Sequence, residues 1–138
     1  MKLPILKMTK PKKRVLGHIV TDARVPLPYR QKTQEAGWYV IKVKDTHSES
    51  SDEKISEIYG KNRRALLTTD KTAHTHNASR GFIGYIYIDG KVSADEDSEY
   101  LAKFSNIVST INKDIIEGYL IIIDKKNTSY ERKKISKR

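Results

Sequence analysis

Short runs of β-branched, aliphatic and aromatic residues recur along the chain, separated by amphipathic or polar stretches. The pattern predicts strands over 15–21, 38–43, 65–69, 82–88 and 119–124, because each run combines Ile, Val, Leu, Tyr or Trp at a length too short for a buried helix. Between them, Pro28 opens and Gly37 closes a short helix over 29–36. A second helix is expected from Ser51 or Asp52, with Ile55, Ile58 and Tyr59 on its apolar side. The strongest helix signal runs over 98–112, where Tyr100, Leu101, Phe104, Ile107, Val108 and Ile111 recur at offsets of three and four. Residues 72–79 have no apolar period and read as a loop or a short helix, and Asp89-Gly90 reads as a turn. Strands alternating with helices, several of them apolar on both faces, define an α/β sandwich with a mostly parallel sheet.

Charge changes this picture at the two ends. The 138 residues carry a formal net charge of +10, yet residues 1–14 hold six Lys or Arg and no acid, and 125–138 hold seven against Glu131. The expected organisation is a basic arm (1–14), one α/β domain (15–124) whose own charge is slightly negative, and a basic tail (125–138), in which Tyr130 and Ile135 allow a short strand or helix. Lys12, Lys13, Arg14, Arg132, Lys133 and Lys134 are the arm residues suited to a polyanion, and the same arms equally serve as solvated ends. The chain has no cysteine, which excludes disulfides, thiolate chemistry and Cys-ligated zinc. No apolar run is long enough for a signal peptide or a bilayer span, so a soluble cytoplasmic protein without a membrane partner is expected.

Candidate chemistry centres on acids that follow strands. Ile19-Val20-Thr21 runs into Asp22 and Ala65-Leu66-Leu67-Thr68-Thr69 runs into Asp70, while Asp52 opens the helix after the second strand. Functional groups in open α/β sheets collect beyond the carboxyl ends of strands, and converging carboxylates suit a hard divalent cation that bridges to phosphate oxygens. Such acids also cap helices or begin loops, and that reading stands beside the first. Glu53 and Glu57 are less favoured than Asp52, since only one of the neighbouring acids can face inward on a helix. Arg24 and Lys71, close to Asp22 and Asp70, are candidates for contact with a nucleic-acid backbone. His74 and His76 read mainly as loop residues, His18 as a structural histidine, and one ring of Trp38-Tyr39 as core. No Gly-rich phosphate loop, nucleophile triad or zinc spacing is present.

Taken in order, these segments resemble the PIN-like nuclease domains, in particular the small PIN-like proteins found beside toxin–antitoxin genes. The resemblance rests on Ile19-Val20-Thr21-Asp22 with the turn through Pro26, on Glu35-Ala36-Gly37-Trp38-Tyr39-Val40, on Ser51-Asp52-Glu53-Lys54-Ile55, and on Leu66-Leu67-Thr68-Thr69-Asp70-Lys71. It implies a three-layer α/β/α sandwich with a mostly parallel five-stranded sheet in the order 3-2-1-4-5. It also implies Asp22, Asp52 and Asp70 as catalytic metal-binding acids, Mg²⁺ or Mn²⁺ as cofactor, and an endoribonuclease cutting RNA, with DNA as the other polynucleotide. An antitoxin protein and a homodimer are the partners the resemblance adds. The chain departs from the family at Ala23, where a second acid is common, and at Thr72-Ala73, where an acid and an aromatic residue usually follow Asp-Lys. The departures keep open a catalytically impaired domain that binds nucleic acid or protein, with Asp89 and Asp95 as the acids nearest to replacing those lost.

Overall fold

A computed structural model of the chain describes residues 15–42, 64–75, 81–126 and 128–135. The elements are β1 (Gly17–Thr21), α1 (Leu27–Ala36), β2 (Trp38–Lys42), β3 (Arg64–Thr68), a 3-10 turn (Ala73–Thr75), β4 (Tyr85–Ile88), α2 (Gly90–Ala94), α3 (Ser98–Val108), α4 (Lys113–Ile116), β5 (Tyr119–Ile123) and β6 (Glu131–Lys134). The helix expected from Ser51 or Asp52 lies outside the described residues.

The strands form one six-stranded mixed sheet in the order β2-β1-β3-β4-β5-β6. Neighbours from β2 to β5 pair in parallel, and β6 runs antiparallel to β5. This corrects the expected five-stranded PIN-like order 3-2-1-4-5: β3 sits in the middle of the sheet rather than beyond β2, and a sixth strand closes the far side. Burial gives the physical reason. Ala65, Leu66, Leu67 and Thr68 are all buried, covered on both faces and flanked by β1 and β4. β2 instead buries Trp38 while leaving Tyr39 58% exposed, the alternation of an edge strand. β6 has four exposed side chains, so it carries no apolar period and reads in the sequence as charged tail.

The pleat sends alternate residues to two cores. On one face Ile19, Leu67, Ile86, Ile88, Ile121 and Ile123 pack with Tyr29 of α1 and with Tyr100, Phe104 and Val108 of α3. On the other face Val20, Leu66, Tyr85, Leu120 and Ile122 pack with Ala73 and Phe82. Trp38 ties the first core to the edge strand, its Nε1 donating to the carbonyl of Val108 at 3.0 Å.

Local chemistry sets the helix ends. Pro28 stands in the first turn of α1, and Gly37 closes it at φ 118°, in the left-handed region that a residue with a Cβ adopts at a cost. The expected helix over 98–112 is divided: α3 stops at Val108, and Asn112 starts α4 by accepting from the N–H groups of Asp114 and Ile115. Asp89-Gly90 is not a turn between strands but the start of α2, since Asp89 Oδ1 accepts from Val92 N–H at 2.9 Å. The fourth strand starts at Tyr85 rather than at residue 82 because Gly84 is pressed against α4. A Cβ on Gly84 would stand 2.0 Å from the carbonyl oxygen of Ile116. Among the described residues no helix is long and apolar enough to cross a membrane.

Candidate functional site

Asp22 follows β1 directly and Asp70 follows β3 after Thr69, and these strands are parallel neighbours, with Thr21 level with Leu67. The fold therefore places both acids at the same end of the sheet, beyond neighbouring strands. That location is also where the chain's connections diverge. After β1 the chain turns to α1 and the outer strand β2, and after β3 it turns through Ala73 on the opposite face toward β4. Adjacent connections leaving to opposite faces mark the place where sheets of this kind usually open a ligand crevice beyond the strand ends.

Thr68 joins the two acids. Its hydroxyl donates to Asp22 Oδ2 at 3.3 Å and accepts from the Asp70 N–H at 3.0 Å. Each carboxylate also organises its own turn: Asp22 Oδ1 accepts from Arg24 N–H at 3.2 Å, and Asp70 Oδ1 accepts from Thr72 N–H and Thr72 Oγ1, both at 3.0 Å. Asp22 and Asp70 are half-buried, whereas Thr68 is 1% exposed. The carboxyl edge continues with Asp89 after β4 and Asp124 after β5, so four parallel strands in succession end in an acid. Tyr87 on β4 lies near three of these acids. Its hydroxyl is shifted above the ordinary tyrosine range by burial first, and then by the negative charges of Asp89, Asp124 and Asp70. Lys71 lies over the Tyr87 ring with Nζ 5.6 Å from its centroid.

Of the residues singled out from the sequence, Asp22 and Asp70 fall at the carboxyl ends of neighbouring strands, with Arg24 and Lys71 exposed on the turns beside them. Arg132, Lys133 and Lys134 are exposed on β6, three strands from β3, roughly 14 Å away at the usual strand spacing. Lys134 pairs with Tyr119, at the opposite end of the sheet from the acids. Asp52, Glu53, Glu57, His76, Lys12, Lys13 and Arg14 lie outside the described residues. Asp89 is committed to capping α2, and Asp95 is exposed at that helix's other end. Thr68, Tyr87 and Asp124 escaped the sequence reading. Only Asp124 carried a visible signal, the same apolar strand running into an acid.

Hard carboxylate oxygens on a pair of linked residues suit Mg²⁺ or Mn²⁺, ions commonly held by one or two carboxylates with water and phosphate oxygens completing the shell. Among the described residues, no group of three or more His, Asp or Glu gathers into a cation site. The fold thus defines an open α/β sheet with an acidic carboxyl edge. No family model, curated protein or solved structure matches the chain.

Proposed function

We propose that the crevice beyond β1 and β3 is a divalent-cation-dependent site for hydrolysing phosphodiester bonds of RNA, with Asp22 and Asp70 as the acids that hold the cation. The observation that supports the reading is the pair of acids at the carboxyl ends of neighbouring strands, with the Thr68 hydroxyl linking the Asp22 carboxylate to the Asp70 backbone N–H where the sheet's connections diverge. Asp22 and Asp70 would hold Mg²⁺ or Mn²⁺, which when bound would lower the pKa of a water nucleophile and offset charge on the leaving oxygen. Thr68 holds Asp22 in orientation. The turn bonds from Arg24 N–H and Thr72 fix the other oxygens, which limits the rearrangement needed at the site. Lys71 and Arg24, exposed on the adjoining turns, are assigned to the phosphate backbone of the strand. Kinship with PIN-like nucleases, an antitoxin partner and Asp52 as a further ligand belong to the same proposal, and the five-stranded order does not.

The test is degradation of single-stranded RNA by the purified chain in Mg²⁺ or Mn²⁺. Cleavage is expected to fall to background in Asp70→Asn, with the far-ultraviolet circular dichroism unchanged. A second reading, a module that binds RNA without cutting it, is favoured by the same turn bonds, because they give both carboxylates a purely structural role. Uncleaved RNA bound with equal affinity by wild type and Asp70→Asn decides for that module.

A further inference from the structure

Among the described residues, β6 is the last strand of the sheet and has no strand on its outer side. In an antiparallel pair each residue turns its N–H and C=O to one side, and successive residues alternate. Ile135 N–H donates to Gly118 O at 2.9 Å, so Ile135, Lys133 and Glu131 turn toward β5, while Arg132 and Lys134 turn their N–H and C=O groups outward. The strand is firmly seated. Tyr130 before it packs against the core on one face, and Ile135 after it packs against the core on the other. Arg132 lies over the Tyr119 ring, 3.7 Å from its centroid, and its Nε donates to Ile115 O at 3.1 Å. Lys133 and Lys134 have no such tie. Both are exposed, and neither side chain has a hydrogen bond or ion pair among the described residues.

We propose that the outer side of β6 takes an extended acidic peptide segment as a seventh strand. The backbone selects a polypeptide. Outward carbonyls at Arg132 and Lys134 need donors beside their N–H groups, and another extended polypeptide supplies both kinds of partner, whereas a phosphodiester backbone offers acceptors alone. The side chains select acid: Glu131 is followed by Arg132, Lys133 and Lys134, and residues 125–138 carry seven Lys or Arg against that one acid. The positive charge thus lies on the strand that offers the pairing groups. An added strand lies about 4.8 Å outside β6, with its side chains directly opposite those of β6. Acids opposite Lys133 and Lys134 fall on consecutive positions, one on each face of the sheet, and the position opposite Glu131 favours a base. Running antiparallel, the segment reads Glu-Glu-x-Lys from its amino end. Because Tyr130, Arg132 and Ile135 already order β6, the cost of ordering falls on the peptide alone. The surface is independent of Asp22, of Asp70 and of any reading of RNA as substrate.

The experiment is fluorescence anisotropy of the labelled peptide Thr-Val-Glu-Glu-Val-Lys-Val-Thr with the full chain at low salt. Saturable binding is expected, weakened about tenfold by Lys133→Glu combined with Lys134→Glu, with the far-ultraviolet circular dichroism unchanged. N-methylation of the peptide separates pairing from charge. Methyl groups on the first Glu and the second Val, whose amides face β6, are expected to abolish binding, and methyl groups on the second Glu and the Lys to leave it within about twofold. Absence of binding, equal binding by the doubly substituted chain, or equal affinity of the two N-methylated peptides each overturns the proposal. Oligo(U) that binds through Lys133 and Lys134 where the peptide does not assigns the edge to nucleic acid and overturns it too. A chain that sediments as a dimer and excludes the peptide assigns the edge to a second copy, with the same result.

Discussion

The two ends of the parallel sheet are held together by different means. At the amino end the ties run from backbone to backbone: Leu16 N–H to Gly37 O, Lys113 N–H to Leu16 O, Gly118 N–H to Ile83 O and Ile135 N–H to Gly118 O. Chains there approach so closely that Gly84 meets the Ile116 carbonyl, and a Cβ on Gly17 would stand 2.7 Å from the Trp38 ring. At the carboxyl end side chains take over: Thr68 bridges Asp22 and Asp70, Asp89 caps α2, and Tyr100 spans two strands. The close approaches at Gly84 and Gly17 leave no room for a Cβ, whereas a side-chain seam can exchange one polar group for another and stay closed. The carboxyl end is therefore where this fold has room for chemistry.

The sharpest way to break that contrast is Gly84→Ala. With backbone on both sides of the clash, the strand must shift away from α4, and we expect a loss of at least about 3 kcal/mol in urea denaturation. A loss near zero would mean that the amino end is looser than its geometry. Next comes Tyr100→Phe. The Tyr100 hydroxyl accepts from Asp89 N–H at 2.8 Å and donates to the carbonyl of Ile123, so its removal leaves two groups at the ends of β4 and β5 unpaired. We expect a cost of about 2 kcal/mol by the same measurement.

The smallest effect is expected at Tyr29. Its hydroxyl is buried without a hydrogen-bond partner among the described residues, so Tyr29→Phe should change stability at neutral pH by less than about 0.5 kcal/mol. The difference emerges in base. Burial, reinforced by the charge of Asp97, pushes the Tyr29 phenol up to about 12 from 10.0. A pKa raised on folding contributes stability that is complete below the unfolded value and is lost as pH climbs through the folded one. The wild-type urea midpoint should consequently decline between pH 10 and 12 more steeply than that of Tyr29→Phe.

How much of this was legible depended on whether a residue's role left a pattern. The stripe from Tyr100 to Val108 is visible because a helix against a core must repeat its apolar residues every three or four positions. The strand-end acids Asp22 and Asp70 were visible for a similar reason, as abrupt changes from apolar to charged. Strand order was not, since β3 reads as the same buried run wherever in the sheet it lies, and only the Trp38/Tyr39 alternation hints that β2 is the edge. Asp89-Gly90 misled because one aspartate can either begin a turn or cap a helix, and here its carboxylate accepts the Val92 N–H and caps α2. Thr68 and Tyr87 are polar groups inside strands, where neither spacing nor charge marks them.

The strand added by Glu131–Lys134 bears on how copies of the protein meet in solution. Its outer ladder of amides and carbonyls faces away from β5, a shape that in many sheets recruits another chain. Here the first acid is followed by three consecutive cations, all exposed. A second molecule aligned along that margin would set lysine and arginine against their own kind, and the repulsion guards the ladder against fibrous growth.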